Sequence, residues 1–271
     1  MNILKLIESF TDEGVLKSLN NATSRRDSFS QFGKIGAGAA LAAVPFGMLF
    51  SSNKAVAQST ATPATATAAL KLALTLEYLE DEFYAMALDS NNLIPTSDQA
   101  YIAQVSQHEA AHVAFLKQAL GADAPAKPQF DFTMDGQLDT FTNYQTFLAV
   151  AQAFEDTGVR AYKGQAGNLM SNGDLLTAAL QIHSVEARHA SQIRRLRGQR
   201  GWITGNDRGG LPAFTQAIYD GEQNTTQGGV NITTFAATNG PALTANGATQ
   251  SFDEIITGDQ AVSIASIFIV S

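Results

Sequence analysis

Glu109-Ala110-Ala111-His112 is the stretch that decides the fold, because the chain repeats it as Glu186-Ala187-Arg188-His189. Each copy is preceded by a lone glutamate with a tyrosine seven residues on: Glu77 with Tyr84, and Glu155 with Tyr162. Glu77 precedes Glu109 by 32 residues and Glu155 precedes Glu186 by 31. Such a repeat reads as one supersecondary unit used twice. The unit is a helix hairpin with one Glu on its first helix and Glu-x-x-His on its second. Residues three apart on a helix share a face, one turn from each other. Glu109 with His112, and Glu186 with His189, are therefore able to aim at a common point, and a carboxylate from the neighbouring helix bridges or completes each pair. Four ionised carboxylates balance two divalent cations. Without cations, so acidic a core is prohibitive, since each uncompensated buried charge costs several kcal/mol. The surroundings are apolar: Leu74, Leu76 and Leu79 flank Glu77, Phe154 and Val159 flank Glu155, and Val113, Phe115 and Leu116 follow His112.

Working outward, the 3.6-residue period predicts four helices. The first covers about 68–88, with Leu70, Leu74, Glu77, Asp81 and Tyr84 spaced by three or four, and ends at the polar cluster 89–92. The second opens at Thr96-Ser97-Asp98, an N-cap cluster, and runs to Leu120, where Gly121 supplies the stop. Residues 121–138, with Pro125, Pro128 and Gly136, form a long connection. The third helix covers about 139–170. After the turn Ser171-Asn172-Gly173, Asp174 caps a fourth that reaches about Gln199. From Gly201 the composition turns to Gly, Asn and Thr; Phe214 to Gly221 reads as a short helix, and Thr257 to Val270 reads as either a helix or a strand.

Composition narrows the function. The 271 residues are 45% apolar and 15% charged, with a formal net charge of -8. An acidic chain is a poor nucleic-acid partner, because phosphate binding needs clustered Lys and Arg. The run Arg194, Arg195, Arg197 and Arg200 is short and reads mainly as cations at a helix C-terminus, where the dipole favours them. The chain has no cysteine, which excludes iron–sulfur clusters, rubredoxin-type sites and internal disulfides. Any metal must then be held by histidine and carboxylate.

The first 57 residues read as an address. Ser24-Arg25-Arg26-Asp27-Ser28-Phe29 is followed by the Ala/Gly-rich apolar run 35–50 and then Ala55-Val56-Ala57. This resembles a bacterial twin-arginine signal peptide, with Phe29 one place later than usual and a long stretch before Arg25. The apolar run is short for a bilayer span of ~18–20 residues; the alternative is an uncleaved N-terminal anchor. Residues 58–66 read as a flexible linker.

One Glu on each of two helices and Glu-x-x-His on each of the other two resembles the ferritin-like di-metal carboxylate arrangement. The segments 76–84 and 153–162 look closest to bacterial ferritin-like domain proteins related to desiccation-associated proteins. The resemblance implies an all-α chain: signal segment 1–57, linker 58–66, ferritin-like four-helix bundle 67–200 with a long crossover, and a loop-rich extension 201–271 packing on it. It implies that Glu77, Glu109, His112, Glu155, Glu186 and His189 bind two divalent metal ions, iron or manganese, and carry the chemistry. The function implied is an exported, periplasmic oxidoreductase acting on oxygen, peroxide or ferrous iron, passed outward by the twin-arginine machinery. The alternative is a non-catalytic stress- or desiccation-associated envelope protein whose metals are structural. Iron storage in a large shell is disfavoured by the tail and the signal; a smaller oligomer stays open.

Several neighbours compete for roles. Glu80 and Glu82 rival Glu77 as ligand. Asp81 and Asp156 are candidates for orienting a ligand histidine, or ordinary surface and network carboxylates. Tyr84 and Tyr162 are expected to hydrogen-bond ligand carboxylates, with a redox role as the alternative. His108 is expected to point away from the metals, as a surface or supporting histidine. His183, one turn before Glu186, is either an extra ligand or a supporting residue.

Overall fold

The computed structural model describes residues 64–235 and 243–270. The twin-arginine segment, the apolar run 35–50, the small residues 55–57 and the linker residues 58–63 lie outside the described residues.

Four long helices form the expected pair of hairpins: α1 (Ala64–Asp89) packs along α2 (Thr96–Leu120), and α3 (Tyr144–Gln165) packs along α4 (Gly173–Leu196). α1 starts earlier than its composition suggested, taking in residues 64–66 of the expected linker. Ala66 and Ala69 are buried, and alanine is the residue that favours a helix most. The caps also differ. Pro95, not the Thr96–Asp98 cluster, occupies the N-cap of α2, and Asp98 sits in the first turn, where it accepts a hydrogen bond from Tyr144 Oη (2.7 Å). α3 begins at Tyr144 rather than Asp139, because Asn143 takes the cap and accepts from the amides of Gln145 and Thr146. Asn172, not Asp174, caps α4 by accepting from Leu175 N (3.1 Å). Gly121 ends α2 with a positive φ of 54°, as expected.

Residues 121–143 cross between the hairpins and bury Phe132 against Phe83 and Phe154, with ring centroids 5.3 and 6.0 Å apart. Phe83 also stacks on Phe147 (5.0 Å). This aromatic cluster fills one end of the bundle. Leu70, Leu74, Leu116, Leu169 and Ile182 fill the other. Burying each such side chain contributes roughly 1.5–3 kcal/mol. Between the two apolar ends, all four helices turn ionisable side chains inward.

The described residues beyond Gly201 pack on α3 and α4, and their last part also reaches α1 and the crossover. Arg160, fully buried on α3, donates to the carbonyls of Ile218, Asp220 (2.8 Å), Glu254 (2.9 Å) and Ile255 (3.3 Å), and pairs with the Glu222 carboxylate (2.8 Å). The short helix expected over 214–221 is present as a 3-10 helix, Ala213–Ile218. The last stretch combines both alternatives. A Thr257/Gln260 capping box starts α6 (Gly258–Ala265), and Ile269 then pairs with Phe130 as an antiparallel bridge. Ahead of α6, α5 is a single turn, Ala245–Thr249. Among the described residues no helix is long and apolar enough to cross a membrane.

Candidate metal centre

The side chains of Glu77, Glu109, His112, Glu155, Glu186 and His189 meet in the middle of the bundle, each no more than 4% exposed. Glu77 comes from α1, Glu109 and His112 from α2, Glu155 from α3, and Glu186 and His189 from α4. They form two groups whose ligand-type atoms all lie within 4.8 Å of one another. One is Glu77, Glu109, His112 and Glu186; the other is Glu109, Glu155, Glu186 and His189. Glu109 and Glu186 belong to both, whereas Glu77 and Glu155 each serve one.

The histidines show how the groups are focused. His112 Nδ1 lies 3.2 Å from Glu77, 3.0 Å from Glu109 and 3.1 Å from Glu186. His189 Nδ1 lies 2.9 Å from Glu109, 3.3 Å from Glu155 and 3.3 Å from Glu186. A ring nitrogen carries one proton at most, so it cannot satisfy three carboxylates at once. Oxygen atoms of Glu109, Glu155 and Glu186 accordingly remain buried without a hydrogen bond. Orphaned anionic oxygens converging with an imidazole nitrogen are the donor set that a cation completes. With no sulfur available, the set suits the harder first-row ions.

The charges respond to this crowding. Burial pushes the Glu155 carboxyl up to about 7 against the pull of His189. Burial, then repulsion from Glu186, drives Glu109 well above the usual carboxylate range. Glu186 goes the other way, to about 2: burial opposes ionisation, but bonds to His112 and His189 outweigh it. Burial likewise works against charging the two histidines, yet the surrounding glutamates push both far above the normal imidazole value. The cluster is therefore poised to exchange protons for cations.

The tyrosines bond ligand-type carboxylates, as expected, but across the bundle. Tyr84 Oη donates to Glu155 (2.5 Å) and Tyr162 Oη to Glu77 (2.5 Å). His108 supports His189: its Nδ1 lies 2.9 Å from His189 Nε2, and its Nε2 lies 2.8 Å from the Gln104 amide. With the Gln104 amide nitrogen donating to His108 Nε2, His108 carries its proton on Nδ1 and donates it to His189 Nε2, which fixes the His189 ring with Nδ1 on the carboxylate side. His183 is not part of either group; its Nδ1 donates to the Val159 carbonyl (2.9 Å). Asp156 orients no histidine. It is held by Arg194 Nε (3.1 Å) and Nη2 (2.5 Å) and by Tyr219 Oη (2.7 Å). Arg194 lies in the last turn of α4, as expected of a terminal cation, and is in addition a buried ion-pair partner; Arg197, just past the helix end, reaches Gln152. Asp81 is half-buried near Lys127, outside both groups, and Glu82 pairs with Lys127 (2.6 Å).

Glu80 is the residue that the sequence reading underrated. It is 2% exposed, and burial, then repulsion from Glu186, raises its carboxyl well above the normal range. It makes no hydrogen bond or ion pair with any described residue. The repeat explains the room for it: three residues after Glu77 stands Glu80, and three after Glu155 stands Gly158. A methyl on Gly158 would sit 3.6 Å from both the Glu80 carboxylate and Glu186 Cγ, so the acid occupies space that a larger residue would fill. Laying the two halves over each other was the signal available in the sequence.

Comparison with known families agrees with this geometry: residues 65–199 match the model of the ferritin-like domain. No curated protein matches the chain.

Proposed function

We propose that the ferritin-like domain of this chain is a di-metal carboxylate oxidoreductase, holding iron or manganese and acting on oxygen, peroxide or ferrous iron. The observation that carries the reading is the pair of four-residue groups sharing Glu109 and Glu186. Glu77 with His112 would hold one ion and Glu155 with His189 the other, with the shared carboxylates keeping the ions together. A bound iron or manganese pair supplies two-electron redox chemistry. The chain's own part is to orient and to exclude water. Tyr84 and Tyr162 fix the outer carboxylates, His108 fixes His189, and the apolar ends of the bundle keep the interior dry. The substrate is a small oxidant or a metal ion.

Anaerobic reconstitution with ferrous iron, followed by oxygen, tests the reading. A rapid optical change with oxygen uptake is the expected result. Full loading with no oxygen uptake would favour the second reading, a stress-associated protein whose metals staple the four helices. The near-complete burial of all six side chains supports that alternative.

Export is part of the proposal. Arg25-Arg26, the apolar run 35–50 and Ala55-Val56-Ala57 support a twin-arginine route to the periplasm. Fusing residues 1–57 to a reporter tests it: export should stop when Arg25 and Arg26 are both changed to Lys.

A further inference from the structure

A cleft of about 450 Å³ opens between the outer face of α4 and the residues that follow it. This volume is within the range of small-molecule sites. Arg188, Ser191 and Arg195 line it from one face of α4, at the spacing that stacks side chains on successive turns. Trp202 and Phe252 line it from the other side and are 47% and 37% exposed.

The arginines of α4 divide by what they touch. Arg194 is consumed by Asp156, and Tyr219 packs under its guanidinium at 5.6 Å. Arg188 and Arg195 are exposed, and their side chains make no hydrogen bond or ion pair with any described residue. The cleft also holds acids. Asp156 is neutralised by Arg194, which leaves Asp253, whose carboxyl is pushed up first by burial and then by Asp156. Two free guanidinium groups therefore face one weakened acid, a locally positive hollow on a chain of net charge -8.

The wall is built to fit. A Cβ on Gly201 would lie 2.4 Å from Ser191 Oγ and 2.9 Å from Arg195 Nε. The missing side chain at Gly201 leaves Ser191 and Arg195 where they stand, and the next residue, Trp202, lines the same cleft as Arg195. A guanidinium fork matches a carboxylate in two parallel hydrogen bonds, and an indole face matches a flat ring.

We infer that this cleft binds a small aromatic carboxylate, its anionic end across Arg188 and Arg195 and its ring against Trp202. The site is separate from the metal centre and does not depend on the reading of that centre.

Trp202 is the sole tryptophan, so its fluorescence reports on the site alone. The full chain is titrated with 4-nitrobenzoate, a quenching aromatic carboxylate, and in parallel with neutral 4-nitrobenzyl alcohol. Saturable quenching is expected for the carboxylate and only linear, collisional quenching for the alcohol. The double variant Arg188→Ala, Arg195→Ala should weaken binding at least 10-fold, about 1.4 kcal/mol, with an unchanged helical circular dichroism melt. Arg200→Ala should bind as the parent does, and chelator-treated protein should bind equally well. Linear quenching by both compounds would overturn the inference. So would a folded double variant with undiminished binding. If the double variant fails to fold, Arg195→Lys decides: it keeps the charge but loses the fork, and undiminished binding would count against the site.

Discussion

Tyr84 and Glu155 are joined by a 2.5 Å hydrogen bond, although Tyr84 lies on the same helix as Glu77. Tyr162 returns the exchange by donating to Glu77. Each hairpin thus supplies the hydroxyl that holds the other's lone glutamate, and the repeat is cross-laced through the site. Hydrogen bonds to charged groups contribute about 1.5–3 kcal/mol, and loss of an orienting partner lowers metal affinity about 10–100-fold. Tyr84→Phe and Tyr162→Phe should each show both effects, the first weakening the ion held by Glu155 and the second the ion held by Glu77. Thermal melts of chelated protein and metal-competition titrations measure the two separately.

Shared and unshared glutamates should differ in kind. Glu77→Ala removes a ligand from one group only, so elemental analysis should show about one metal per chain against about two in the parent. The double variant Glu109→Ala, Glu186→Ala removes the carboxylates common to both groups and should bind almost none. Equal losses in all variants would mean that the two groups do not act as a shared pair.

The pH response of chelated protein follows from the shifts. Glu155 is raised from 4.5 to about 7, so its contribution to stability is fully present below pH 4.5 and is lost as pH rises through 7. The raised histidines act in the same sense above pH 6.5. Glu186, lowered to about 2, contributes above pH 4.5 and loses that contribution only as pH falls towards 2. Metal-free protein should therefore melt at falling temperatures from pH 5 to pH 8. Metal loading should flatten that decline and release protons, measurable with an indicator dye in weak buffer.

Arg160 is a main polar anchor of the C-terminal residues. Arg160→Met would leave Glu222 buried without its counter-charge and deprive the carbonyls of Ile218, Asp220, Glu254 and Ile255 of their donor. Breaking such a buried pair costs about 3–5 kcal/mol. Limited proteolysis should cut the variant beyond Gly201 while the four long helices persist.

Periodicity and the duplicated motif made the four helices and the six converging side chains legible, because both are local statements about which residues share a face. Helix starts were less legible. Asn143 and Asn172 outcompeted Asp139 and Asp174 through one or two amide contacts that depend on where each preceding loop arrives. The partner of each tyrosine was also hidden, since spacing along α1 brings Tyr84 near the right layer without saying which carboxylate it meets. That Asp156 takes the network role rather than orienting a histidine was left open by the sequence, because one of its partners, Tyr219, comes from an irregular segment with no period to interpret.

The contrast between Glu80 and Gly158 bears on how such a bundle could have been assembled. Two identical hairpins associating as a symmetric dimer would have to place the same residue at both positions. Paired acids would crowd and repel, and paired glycines would leave a hollow. Fusing the hairpins into a single polypeptide frees the two positions to diverge, and this chain has used that freedom to make the two sides of its interior unequal, which no self-paired half could do.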